Sequence, residues 1–177
     1  MNRTTAEFLS KTHYFAHASR TEIEAFLPNF ESLSLSEGET LFSEGDEDSA
    51  WYLITKGSVS ILRSGADGGA HILAELGQGE AFGEMSLLEK RPRMGTAMTL
   101  QSTELLRLRG ETFENLLKND SIAVGILRAM AIAQSRRLRE MTFILQDLTE
   151  ADMVQNVLPN VGPLDVNAVI RAGLLFN

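Results

Sequence analysis

From Phe30 to Arg109 apolar and polar residues alternate in short runs punctuated by glycine, the period-two signature of strands with one buried face. The runs cover 31–35, 40–42, 50–55, 57–63, 71–76, 95–100 and 103–109. Turn residues separate them at Glu37-Gly38, Glu44-Gly45-Asp46, Lys56-Gly57, Gly65 to Gly69 and Gly77 to Gly79. Short strands so closely spaced predict a sandwich or barrel rather than alternating α/β units, and the pattern reads as a closed antiparallel roll.

On either side of the roll the period changes. Phe8, Leu9, Tyr14, Phe15, Ile23, Phe26 and Leu27 are spaced for one or two short amphipathic helices within 5–30. Ser19 or Thr21 is placed to cap the second, with Glu22 and Glu24 near its positive end and Pro28 to stop it. After the strands a long helical segment is expected over 112–148, broken at Asn119-Asp120-Ser121, where good capping residues precede Ile122. Within it Leu127, Ala131, Gln134, Leu138, Met141, Leu145 and Leu148 follow alternating steps of four and three. That is a heptad seam, and it predicts a parallel homodimer through 121–148, the alternative being that both apolar faces of the helix are simply core. Ile122, Ile126, Met130 and Ala133 lie on another face, suited to packing on the roll. Pro159, Gly162, Pro163 and Gly173 divide the rest into short helical pieces joined by turns. The chain thus reads as an N-terminal helical segment (1–29), a roll (30–110), lid or dimerisation helices (111–148) and a tail or linker (149–177).

Composition narrows the function. At 177 residues, 44% hydrophobic and 23% charged, the chain is long enough for one domain with an appendage and too apolar for a disordered segment. A net charge of −8 repels polyanions, so no DNA contact is expected from it. The tail carries Arg171 against Glu150, Asp152 and Asp165 and shows no recognition helix. No cysteine is present, which excludes disulfides, zinc-thiolate sites and thiol nucleophiles. Arg3, Glu7 and Lys11 interrupt the first residues, and no run approaches the ~18 apolar residues that span a bilayer, so a cytoplasmic location without membrane contact is the expectation. A metal-dependent barrel enzyme would need clustered histidines, whereas His13, His17 and His71 are scattered. With no GxSxG elbow or Walker loop either, neither a catalytic residue, a metal nor a cofactor is expected, and the chain reads as a non-enzyme.

The most informative stretch interrupts the strands: Phe82-Gly83-Glu84-Met85-Ser86-Leu87-Leu88-Glu89-Lys90-Arg91-Pro92-Arg93-Met94-Gly95-Thr96. A glycine just before a single helical turn lets backbone N–H groups face an anion, and the helix start adds partial positive charge. Arg93, nine residues after Glu84, can return to the same spot, and its planar fork suits a phosphate. Glu84 suits a sugar hydroxyl better than a phosphate, so the pair reads as ribose plus phosphate. The bland alternative is that Arg93 pairs with a surface carboxylate while Glu84 caps a helical turn.

This segment resembles the phosphate-binding cassette of the cyclic-nucleotide-binding domain family, approximately F-G-E, a small apolar helical turn, then P-R and small residues ending in Thr. Glu37-Gly38-Glu39, Glu44-Gly45-Asp46 and Tyr52-Leu53-Ile54 with Lys56-Gly57 resemble the family's first strands and turns. The similarity covers about 10–145. It implies a mainly β fold with flanking α: an eight-stranded, jelly-roll-like antiparallel β-roll with N-terminal helices, a short cassette helix and a long C-terminal helix. It also implies a cassette over 82–96 in which Phe82, Gly83, Glu84, Met85, Ser86, Arg93, Met94, Gly95 and Thr96 bind ligand. Glu84 would hold the ribose 2′-hydroxyl, Arg93 the cyclic phosphate, and the Gly83, Glu84 and Gly95 region would supply backbone donors. Met94 and Gly95 replace the usual alanines, and Met94 is bulky there. In the family a hydroxyl residue just after this arginine favours guanine, so Met94 points to cAMP over cGMP.

In the catabolite-activator branch the following helix dimerises and closes over the base. Arg136-Arg137-Leu138-Arg139-Glu140-Met141-Thr142 resembles its base-contacting part, with Thr142 toward the exocyclic amine and Arg139 or Met141 over the ring. A solvated basic helix face is the alternative for these residues. The implied function is a regulatory sensor whose helices rearrange on binding and act on a partner protein or an attached output domain. A catabolite-activator-like regulator lacking its DNA-binding module, or a degenerate domain acting in protein–protein contacts, are the other readings.

Overall fold

Alternation along the strands sorts their apolar side chains onto two faces, and this divides the core in two. The computed structural model describes residues 3–65 and 68–150. In chain order they form α1 (Arg3–Ser10), α2 (Arg20–Phe26) with a 3-10 turn (Leu27–Asn29), β1 (Glu31–Leu35), β2 (Thr40–Phe42), β3 (Ala50–Lys56), β4 (Val59–Ser64), β5 (Ala70–Leu76) and β6 (Ala81–Phe82). After these come α3 (Glu84–Glu89), β7 (Thr96–Thr99), β8 (Thr103–Arg109), α4 (Gly110–Leu117) and α5 (Ser121–Glu150). The strands pair antiparallel in two four-stranded sheets, ordered β1-β8-β3-β6 and β2-β7-β4-β5. This is the eight-stranded roll that the sequence and its resemblance imply.

Strand β3 shows how the layers are built. Its alternate residues Trp51 and Leu53 join the helix-side core with Leu9, Phe15, Ile23, Phe26, Phe113 and Ile126. Tyr52 and Ile54 point the other way, into the core between the sheets with Phe42, Val59, Phe82, Ala97 and Leu105. A strand buried on both faces carries a continuous apolar run, which is why 50–54 reads as unbroken rather than alternating.

The helix boundaries follow local chemistry. Ser19 caps α2 by accepting the Glu22 amide, while the Glu22 carboxylate accepts the Ser19 amide, a reciprocal capping box. These bonds hold the Glu22 carboxyl below its usual range, the Ser19 hydroxyl first among the causes. Asp120 Oδ1 accepts the Ile122 and Ala123 amides and so starts α5 at the expected break. Ile122, Ile126 and Met130 are buried on the roll side of this helix, as their spacing predicts.

Some boundaries differ. The two-residue β6 is too short for a period-two pattern to register, and it exists because Phe82 and Ala81 pair with Tyr52 and Leu53. Helix α5 continues to Glu150, past the expected end at 148. The turn at 66–67 and the tail beyond 150 lie outside the described residues, as do the side chains of the seam positions Leu145 and Leu148. The described residues fall into two bodies that divide after Met130, and α5 starts in the first and runs into the second.

One charged clamp closes the first strand against the sheet. Glu31 on β1 accepts hydrogen bonds from Arg107 and Arg109 of β8, and Arg109 followed by Arg107 pulls its carboxyl pKa down from 4.5 to about 2. A depressed carboxyl pKa stabilises the fold above the unfolded value, and the contribution disappears as pH falls from about 4.5 toward 2. Glu31→Gln is therefore expected to lower the melting temperature near neutrality, with the gap to the parent narrowing below about pH 4.5 and closing only as pH approaches about 2. A parallel offset between the two melting curves from pH 7 to 2.5 would show that the carboxylate charge is not the cause. The Glu31 side chain is 39% exposed, so salt screens the effect.

Candidate functional site

The stretch from Phe82 to Thr96 folds as two limbs around α3. Phe82 ends β6 opposite Tyr52, and the two rings stack at 5.2 Å with 13° between their planes. Gly83 then turns the chain at φ +83°, where a Cβ would stand 2.6 Å from the Ala50 carbonyl oxygen and 2.9 Å from Arg93 Nη1. Only glycine fits both the conformation and the space. The six residues of α3 follow, with Glu84, Ser86 and Leu87 buried, Met85 half-buried and Leu88 40% exposed. Lys90 ends the helix in the left-handed region at φ 56°, and its ammonium lies 2.9 Å from Glu114 on α4.

The returning limb is stitched to the β2–β3 loop. Arg93 N–H donates to Asp46 O at 2.8 Å, Gly45 N–H donates to Arg93 O at 2.9 Å, and Glu44 N–H donates to the Thr96 hydroxyl at 3.0 Å. Gly95 then passes β4 so closely that a Cβ would come within 2.6 Å of the Leu62 carbonyl oxygen. Met94 between them is 45% exposed.

Arg93 is the centre of the arrangement. It is only 3% exposed, and an unpaired guanidinium could not stay charged there at small cost. Nε and Nη2 donate to the two oxygens of Asp48 at 2.9 and 3.0 Å, a bidentate pair. Nη1 is shared among the Ala50 carbonyl (3.1 Å), the Gly83 carbonyl (3.1 Å) and the Ser86 hydroxyl (2.7 Å). The guanidinium carbon also lies 4.0 Å from the centroid of Phe42 and 5.6 Å from that of Tyr52, within cation–π range. Burial raises the Tyr52 hydroxyl pKa above its ordinary value, so this ring stays neutral beside the cation.

The fold thus brings Gly83, Ser86 and Arg93 into one hydrogen-bonded cluster, with Phe82 one residue away and the buried Glu84 between Gly83 and Ser86. The Thr96 hydroxyl accepts the Glu44 amide, while its neighbour Ala97 enters the core between the sheets. Arg139, Met141 and Thr142 lie on α5 in the second body, all exposed, and Thr142 donates its hydroxyl to Leu138 O at 2.9 Å. Sequence reasoning did not find Asp48, Phe42 or Tyr52 as neighbours of Arg93. The run Glu44-Gly45-Asp46-Glu47-Asp48, four carboxylates in a turn, is the one signal that an internal cation waits nearby.

Residues 32–120 match the family described as the cyclic nucleotide-binding domain. The chain belongs to that family. The stretch from Phe82 to Thr96 falls wholly inside the matched range. This cyclic nucleotide-binding domain is 36% identical over 119 residues to the cyclic AMP receptor protein of Thermus thermophilus, which covers 67% of this chain and 54% of that protein. It is 34% identical over 102 residues to a lysophospholipase nte1 of Neurospora crassa, 57% of this chain but 7% of that one. The crystal structure of the Thermus thermophilus catabolite activator protein superposes with a TM-score of 0.70 at 33% identity, covering 78% of this chain and 63% of that one. The domain therefore spans little more than half of the receptor protein and a small fraction of the lysophospholipase. Among its described residues no helix is long and apolar enough to cross a membrane.

Proposed function

We propose that this domain senses a cyclic nucleotide, cAMP in preference to cGMP, and passes binding to the helices after the roll as a change in their arrangement. It acts on a partner protein or an attached output region, without a catalytic step of its own. The observation that carries this reading is the buried Arg93 at the cassette turn, anchored through Nη1 so that its Nε–Nη2 edge has a fixed direction. That edge presents two parallel N–H donors, the geometry a phosphate accepts bidentately. Asp48 holds it, and the Asp48 side chain is 51% exposed, so the carboxylate can turn to water when a phosphate takes its place. Glu84, at the first turn of α3, then accepts from the ribose 2′-hydroxyl.

Similarity to a cyclic AMP receptor protein and Met94 directly after Arg93 both favour adenine. Arg139, Met141 and Thr142 are the proposed base contacts, and the seam on α5 is the proposed homodimer contact. Binding acts by differential affinity: a phosphate drawn to Arg93 shifts the cassette, and Met85 and Leu88 repack with it.

Calorimetric titration with cAMP, cGMP and a cyclic dinucleotide tests this. The expected order has cAMP tightest, with cGMP weaker by at least about tenfold, or ~1.4 kcal/mol. Absence of both heat and thermal stabilisation with all three would sink the sensor reading and leave a domain that works through protein contacts alone.

A further inference from the structure

We propose that the Lys90–Glu114 ion pair is a latch: it holds the cassette in the arrangement where Asp48 occupies Arg93, and so sets how much cyclic nucleotide is needed to shift it. The latch rests on the sensor reading and concerns the regulation of that same site.

The backbone at Lys90 is the first observation. Among the described residues Lys90 is the one non-glycine residue at positive φ, with φ 56° and ψ 42°. Six glycines take the other such positions. A β-carbon in this region crowds the neighbouring carbonyl, a cost that glycine avoids, and glycine is the common residue where a helix ends this way. A strained residue persists where its side chain makes a contact that glycine cannot make. Here that side chain reaches α4, where its ammonium lies 2.9 Å from Glu114 Oε1.

The pair closes a ring of contacts that includes the phosphate-facing edge of Arg93. Arg93 Nη1 donates to the Ser86 hydroxyl at 2.7 Å, and the Ser86 carbonyl accepts the Lys90 N–H at 3.1 Å, so the guanidinium and Lys90 are joined through one residue of α3. On the other side Arg93 Nε and Nη2 donate to Asp48, and the next residue, Ser49, accepts the Gly110 N–H at 2.9 Å where α4 begins. Gly110 approaches so closely that a Cβ would stand 2.0 Å from Ser49 Oγ. Phe113, one residue before Glu114, is buried in the helix-side core and makes α4 a firm platform for the carboxylate. Asp48 and Lys90 are thus tied to the same helix. A phosphate that displaces Asp48 and draws the cassette with it must also pull Lys90 away from Glu114, and the loss of that contact opposes binding. The two side chains are 74% and 51% exposed, so the pair is screened by water and adjusts the threshold without locking the site.

Calorimetric titration of the full chain with cAMP tests the latch. Glu114→Gln and Lys90→Gly are each expected to bind about two- to fivefold tighter than the parent, the range a solvent-screened ion pair supplies. The double variant should gain no more than either single one, because both remove the same contact. Exchanging the charges, Lys90→Glu with Glu114→Lys, should return the affinity toward that of the parent. Added salt should narrow the gap between parent and single variants. Lys90→Gly also relieves the left-handed backbone and should melt at or above Glu114→Gln, which separates tighter binding from a general loosening of the fold.

Single variants that bind like the parent, or more weakly, overturn the latch, as do single effects that add in the double variant. A parent that takes up none of cAMP, cGMP or a cyclic dinucleotide sinks the sensor reading and the latch together. A parent that binds cAMP while its variants match it sinks the latch alone.

Discussion

Arg93→Ala is expected to weaken cyclic-nucleotide binding by about 10- to 150-fold, the equivalent of ~1.5–3 kcal/mol for a charge-assisted contact. The same substitution removes a donor from the Ala50 and Gly83 carbonyls, the Ser86 hydroxyl and the Asp48 carboxylate, so the domain should also lose ~1–3 kcal/mol of stability. Two further variants separate these effects. Arg93→Lys keeps the charge but not the fork and should bind with intermediate affinity. Asp48→Asn removes the carboxylate that occupies the Nε–Nη2 edge while Nη1 keeps its three acceptors and the guanidinium its place over Phe42. Its binding should be undiminished or tighter by up to about tenfold, ~1.4 kcal/mol. If titration shows Asp48→Asn losing as much affinity as Arg93→Ala, the carboxylate orients the arginine rather than competing for it. If Arg93→Ala binds like the parent, the phosphate sits elsewhere.

Gly83→Ala should be the most disruptive single-methyl change in the cassette. A left-handed residue with a Cβ costs ~1–2 kcal/mol, and overpacking adds ~1–3 kcal/mol. Neither neighbour yields easily. The Ala50 carbonyl belongs to β3, which is held by β8 on one side and β6 on the other, and Arg93 Nη1 is fixed by its acceptors. Tyr52 Cδ2, at 3.2 Å from the added carbon, closes the third direction. A drop of roughly 5–15 °C in melting temperature is expected, together with loss of binding as the Arg93–Gly83 bond is displaced. A drop under about 2 °C with affinity intact would mean that the turn relaxes freely and that the tight fit does not matter.

How far the sequence could be read depended on the range of the interaction. The roll was legible because burial on one face writes a period of two into most of its strands, and the break before α5 because Asp120 acts within three residues of itself. Gly83, Glu84 and Arg93 stood out because a local turn imposes local residue types. Asp48 did not, since it meets Arg93 across 45 positions, and no nearby spacing records which carboxylate closes a fold-wide pair. Thr96 has a second role that the motif does not record. Its hydroxyl accepts the Glu44 amide, a partner 52 positions away that becomes a neighbour only once β7 lies beside β2.

Trp51 offers a practical consequence of the divided core. It is the sole indole in the chain, fully buried on the helix side of β3, edge-on to Tyr14 at 4.9 Å and 6.3 Å from Phe30. The aromatic rings around Arg93 are a phenylalanine and a tyrosine on the opposite side of the same sheet. Its fluorescence spectrum should therefore respond to repacking in the helical layer and not to a ligand touching the cassette, a native optical probe that separates signal transmission from occupancy without any label.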